Sequence, residues 1–178
     1  MNSGGHLEGK STPSGKEDAT HSTRPPRLAI IASKGTLDWA YPPLMLATQA
    51  ARKGWEVAIF FTFYGLEIIH RHGDKRLRVT PLGNPAMPMP APVLMGAMPG
   101  MTAMATAMMK RKFRGKRVPS IDELIARAVE SGVQLIPCGM TIDVFGYSMD
   151  DFVPGVKPRL GSADFLEFAK DANVSLFV

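Results

Sequence analysis

The chain is poor in cysteine. Among its 178 residues Cys138 is the only one, which excludes an intramolecular disulfide framework and a cysteine-rich zinc site. A lone thiol fits a reducing compartment. The first 26 residues contain almost nothing apolar, so no secretory apolar segment is present there. They read as a disordered tail that ends at Pro25-Pro26, with His6 and His21 solvated within it. No G-x-G-x-x-G follows the first apolar run, which excludes a dinucleotide-binding turn.

Charge is also absent where it would be expected. From Val79 to Met109 no residue carries one. By length that stretch would cross a bilayer, yet Pro81, Pro85, Pro88, Pro90, Pro92 and Pro99 interrupt it. It reads as an extended Pro-Met segment, Met87 to Pro92, followed by a helix from about Met101. Met98, Met101, Met104 and Met108 then fall near one helical face. Three readings stay open: a core or oligomer-interface stripe, a membrane-associated hairpin, and a copper(I) thioether site. Proline argues against lipid exposure, because a span in lipid must satisfy its own backbone.

The net charge of +5 is local. Lys110, Arg111, Lys112, Arg114, Lys116 and Arg117 crowd into one short run, and the rest of the chain sums to −1. A nucleic-acid-binding face spread over the fold is therefore not expected. The run itself reads as a solvated surface loop or as an electrostatic contact for anionic membrane.

The remaining composition, 45% apolar and 21% charged, is that of one globular domain over 27–178 with a Met/Pro-rich and basic insertion at 79–118. Arg27 to Ser33 is a nearly continuous apolar run, as in a strand buried on both faces. A helix is expected from Pro42-Pro43 to Lys53, closed by Gly54. Trp55 to Phe61 is the second strand, and a short helix spans Leu66 to His72. Ser120 and Glu123 form a capping box for the next helix, whose apolar face is Leu124, Ile125, Ala128 and Val129. A third strand runs from Val133 to Pro137, another helix from Ser162 to Lys170, and a last strand from Val174 to Val178. This alternation predicts an α/β fold: an open, mostly parallel sheet with helices on both faces. Ligand sites in such sheets lie outside the C-terminal strand ends. Three turns converge there: Ser33-Lys34-Gly35, Thr62-Phe63-Tyr64-Gly65 and Pro137-Cys138-Gly139.

Pro137 ends the third strand, Gly139 turns the chain, and Thr141 caps a helix over Ile142 to Phe145. That places Cys138 near a helix N-terminus, where a thiolate is favoured and becomes a nucleophile. A packed, inert cysteine is the competing reading. The N–H groups of Gly139, Met140 and Thr141 would stabilise the thiolate, Lys34 with Ser33 and Gly35 would favour an anionic adduct, and Tyr64 would wall the site. Asp143 opposes this, since a carboxylate raises a nearby thiol. No metal or cofactor is called for.

Three segments resemble the DsrE/DsrF-like superfamily: Ile31-Ala32-Ser33-Lys34-Gly35-Thr36-Leu37-Asp38, Phe60 to Leu66, and Ile136-Pro137-Cys138-Gly139-Met140-Thr141. The resemblance is greatest to the branch with a Met-rich insertion, here Pro99 to Met104. It implies a flavodoxin-like sheet, a homo-oligomer, and a cytoplasmic sulfur-relay protein whose cysteine, matched by Cys138, carries a persulfide or thiosulfonate. It implies TusA-like carriers and rhodanese-type donors as partners, and it allows peripheral membrane contact through the insertion. Some relatives carry a second cysteine, and this chain has none. The expected function is a one-cysteine sulfur carrier or sulfurtransferase. The alternative is a non-catalytic oligomeric or membrane-associated scaffold with an inert cysteine.

Overall fold

Four short apolar runs pair side by side in the computed structural model, which describes residues 24–79 and 100–178. They are β1 (Arg27–Ala32), β2 (Glu56–Phe61), β3 (Gln134–Pro137) and β4 (Val174–Phe177). The order across the sheet is β3-β2-β1-β4, and every pairing is parallel. The expected open parallel α/β sheet is the one observed. Most of the tail and the Pro-Met segment Met87–Pro92 lie outside the described residues.

Alternate strand residues face opposite ways, and the two faces are covered unequally. Leu28, Ile30, Val57, Ile59, Phe61 and Leu135 point to one face. There they meet α1 (Leu37–Arg52) and, further along the chain, the amphipathic helix Ile121–Glu130. Ala29, Ala58, Phe60, Ile136 and Cys138 point to the other, where Phe165 of the helix Ser162–Ala169 closes a smaller cluster. Phe60 and Phe165 stack with ring centroids 5.0 Å apart.

In chain order the helices after α1 are α2 (Leu66–Ile69), α3 (Gly73–Arg76), α4 (Met101–Gly115), α5 (Ile121–Glu130), α6 (Gly139–Phe145) and α7 (Ser162–Ala169). α1 begins five residues before the expected Pro42, which with Pro43 lies inside it. Burial of Leu37 and Ala40 holds this extra turn against the loss of two N–H donors. The expected helix Leu66–His72 breaks at His70 and resumes as α3. The basic run expected as a loop is largely helical: Lys110, Arg111, Lys112 and Arg114 form the last turns of α4, where cations suit the helix dipole. Met104 and Met108 are exposed on this helix, while Ala105 and Thr106 are buried. Among the described residues no helix is long and apolar enough to cross a membrane. At α5 the capping box forms as expected: Glu123 N–H donates to Ser120 Oγ, and Ser120 N–H donates to the Glu123 carboxylate.

Candidate functional site

The turns after β1 and β2 press together backbone against backbone. A Cβ on Gly35 would collide with the carbonyl oxygen of Tyr64, and one on Gly65 with that of Ala32. Only glycine fits such an approach. Gly65 N–H also donates to Ser33 O at 3.1 Å, and Thr62 N–H to Ala32 O at 3.0 Å. The two turns are therefore held against each other. They are tied to the end of β3 by Cys138 N–H, which donates to Phe61 O at 2.9 Å.

Cys138, not Thr141, occupies the cap position of α6. Its side chain follows Ile136 onto the thinly covered sheet face, and the residue is 4% exposed. Thr141 sits in the first turn of α6 with 1% exposure. Phe63 N–H donates to Thr141 Oγ1 at 3.2 Å, and the hydroxyls of Thr62 and Thr141 are 3.2 Å apart. Phe63 adopts φ +47°, a left-handed conformation unusual for a bulky residue, and thereby aims its N–H at Thr141.

Two opposing effects set the acidity of Cys138. Burial pushes the thiol up, as for any group that becomes charged on deprotonation. The Thr141 hydroxyl, the Thr141 N–H, the Thr62 hydroxyl and the Met140 N–H face the sulfur and outweigh burial, so the thiol lies below its ordinary value. The N–H groups do not reach the geometry of a formed side-chain cap, so their effect is that of oriented dipoles.

The other residues read from sequence are placed as follows. Gly139 is buried, and its N–H donates to Leu160 O at 3.1 Å. Met140 and Val144 are exposed on α6, and Phe63 and Tyr64 are exposed on the turn after β2. The Tyr64 ring faces Phe145 with centroids 5.7 Å apart. Ser33 Oγ donates to Val178 O at 3.2 Å. The Lys34 ammonium lies 3.3 Å from the centroid of the Trp39 ring, a cation–π contact. Asp143 is held by Arg159, whose Nη1 and Nη2 donate to its two carboxylate oxygens at 2.9 and 2.6 Å. Among the described residues no group of three or more His, Cys, Asp or Glu converges as a metal would require.

Sequence reasoning missed the hydroxyl of Thr62, the N–H of Phe63 and the whole of Arg159. A hydroxyl ending β2 was a visible signal for the first. Arg159 had none, because it lies in an irregular segment well past the cysteine. That segment runs along the free edge of β3: Lys157 N–H donates to Leu135 O at 2.8 Å and Leu160 N–H to Pro137 O at 3.4 Å.

A cysteine at the C-terminal end of a strand in an all-parallel sheet, with threonine hydroxyls aimed at its sulfur, marks a thiol-bearing α/β domain. The chain belongs to the DsrE/DsrF/DrsH-like family, whose model matches residues 24–177. It is similar to the sulfur carrier protein DsrE2 of Allochromatium vinosum, 49% identical over 158 residues, a match covering 85% of this chain and 98% of that one. It is also similar to the uncharacterized protein YrkE of Bacillus subtilis, at 27% identity over 155 residues, covering 85% and 96%. The solved ychN protein from E. coli shares the fold, with a TM-score of 0.51 at 11% identity over 86% of this chain and 99% of that one.

Proposed function

We propose that this protein is a sulfur carrier that holds sulfane sulfur or a thiosulfonate on Cys138 and passes it to a partner carrier. The observation that carries the reading is the set of donors around the sulfur, which keeps the thiol below its ordinary value despite burial. A space-filling cysteine needs no such donors. The similarity to a protein named a sulfur carrier supports the same reading.

The chemistry is nucleophilic displacement at sulfur. The Cys138 thiolate attacks the outer sulfur of a donor persulfide. A new S–S bond forms, the donor's S–S bond breaks, and the donor thiolate leaves with the electron pair. Handing on repeats the step with an acceptor thiolate. The donors that lower the thiol also hold the departing sulfur of Cys138 as an anion. A TusA-like carrier and a rhodanese-type donor are the partners proposed, meeting the exposed apolar side chains Phe63, Tyr64, Met140 and Val144. The setting proposed is the cytoplasm, and the assembly a homo-oligomer.

Intact-mass spectrometry after incubation with tetrathionate or a persulfidated carrier tests the reading. A reducible adduct is expected on the wild type and none on folded Cys138→Ser. One observation favours a second reading: Cys138 is 4% exposed within an apolar cluster, as an inert cysteine in a non-catalytic scaffold would be. A wild-type thiol that stays unmodified by both donors establishes that second reading.

A further inference from the structure

We infer that Arg159 is the specificity-determining residue of the Cys138 site, selecting sulfur donors that carry an oxyanion; the inference rests on the carrier reading above. Main-chain bonds place it. Lys157 N–H, Leu160 N–H and the Leu160 carbonyl bond to Leu135, Pro137 and Gly139 respectively, so Arg159 is clamped beside the cysteine-bearing turn. Its side chain then crosses Gly139, the residue next to Cys138. A Cβ built on Gly139 would stand 3.3 Å from Arg159 Nε and 3.6 Å from Nη2. Glycine leaves the room in which the guanidinium lies.

The orientation of the fork matters as much as its position. Asp143 accepts from Nη1 and Nη2. The Nε–Nη2 edge is the one turned to Gly139, and Nε takes no part in the pairing with Asp143. A guanidinium has five protons in a planar fork, so Asp143 fixes the plane while the edge turned to Gly139, the neighbour of Cys138, keeps a donor for a second anion. This is not a surface pair on one helix turn: the partners are 16 residues apart and join α6 to the strap along β3.

An oxyanion beside the sulfur arises when the donor bears a sulfonate. The Cys138 thiolate attacks an inner sulfur of tetrathionate, the central S–S bond breaks, and thiosulfate leaves with the electron pair. The adduct on Cys138 is a thiosulfonate, whose terminal oxygens meet Arg159. No external oxidant or reductant is needed.

The test compares rates of Cys138 modification by tetrathionate and by a neutral aromatic disulfide, 4,4′-dithiodipyridine, at low salt. In Arg159→Gln the ratio of the two rates should fall about tenfold, the effect of one half-exposed charged hydrogen bond. Arg159→Lys keeps the charge without the fork and should restore the ratio only in part. Arg111→Gln, which removes an equal charge from exposed α4, should leave the ratio unchanged. An unchanged ratio in Arg159→Gln, or an equal fall in Arg111→Gln, overturns the inference. Reaction of the wild type with the neutral disulfide but not with tetrathionate overturns it while leaving a reactive thiol. Failure with both reagents overturns the carrier reading as well.

Discussion

Replacing Thr141 with valine removes one hydroxyl and keeps the shape. The consequences divide into two measurable parts. Phe63 N–H loses its acceptor in a part-buried site, which costs about 1–3 kcal/mol. For a domain of this size that lowers the melting temperature by roughly 3–10 °C. The thiol loses the strongest donor that opposes burial, so its acidity falls back toward the ordinary value of 9.0. Alkylation by iodoacetamide near neutral pH should slow accordingly, and its pH midpoint should rise. Stability links the two. Because the folded wild type favours the thiolate, that contribution is present in full above 9.0 and is lost as pH falls through the lowered value. The stability gap between wild type and Thr141→Val therefore widens as pH rises through this window and is constant above it. Thr141→Ser keeps the hydroxyl and should restore both properties. A valine variant with the wild-type alkylation profile, or a serine variant that behaves like valine, would refute this account of the thiol.

Gly65→Ala forces a Cβ into the Ala32 carbonyl and should cost about 1–3 kcal/mol in denaturant titration, with slower Cys138 alkylation because Thr62 and Phe63 move with it; wild-type stability would show that the two turns are not in close contact. Ser120→Ala removes the α5 cap, and a loss of about 1 kcal/mol is expected. His70 is held below 6.5 by burial first, then by the Arg76 charge, against Glu67 and Asp151. Folding stability should thus fall as pH drops below 6.5, and His70→Gln should flatten that acid limb; an unchanged limb assigns it to other groups. Met104 and Met108 stand exposed on α4, so Met104→Glu with Met108→Glu should lower the mass seen by light scattering if the stripe joins subunits, and an unchanged mass removes it from the interface.

Much of this architecture is legible in the sequence because it rests on local chemistry. Continuous apolar runs gave β1 and β2, and Ser120 with Glu123 gave the start of α5. The turn at Cys138 was visible from the proline and glycine that flank it. What escaped is what the third dimension decides. Pro42 and Pro43 read as a helix start, yet burial of Leu37 and Ala40 pulls the helix one turn earlier. Thr141 read as a cap, yet Phe63 and Thr62 claim its hydroxyl from another strand. Lys34 read as a cation for the site, and its packing over the ring of Trp39, five residues on, had no sequence signal. Arg159 is brought beside Gly139 by main-chain pairing along an edge, which leaves no periodic trace.

The unequal cover of the two sheet faces bears on access to the thiol. Cys138 shares the smaller apolar cluster with Phe165, the buried side chain of the eight-residue helix α7. Phe165 is the one buried residue of α7, so its opening is expected at the low end of the free energies at which parts of a protein open without global unfolding. Two clocks are then expected in encounters with Cys138. One is the fraction of thiolate, set by threonine hydroxyls and pH. The other is the frequency with which α7 lifts, set by packing and temperature. Small reagents report the first and bulky ones the second, and hydrogen exchange in α7 should keep time with the bulky reagent.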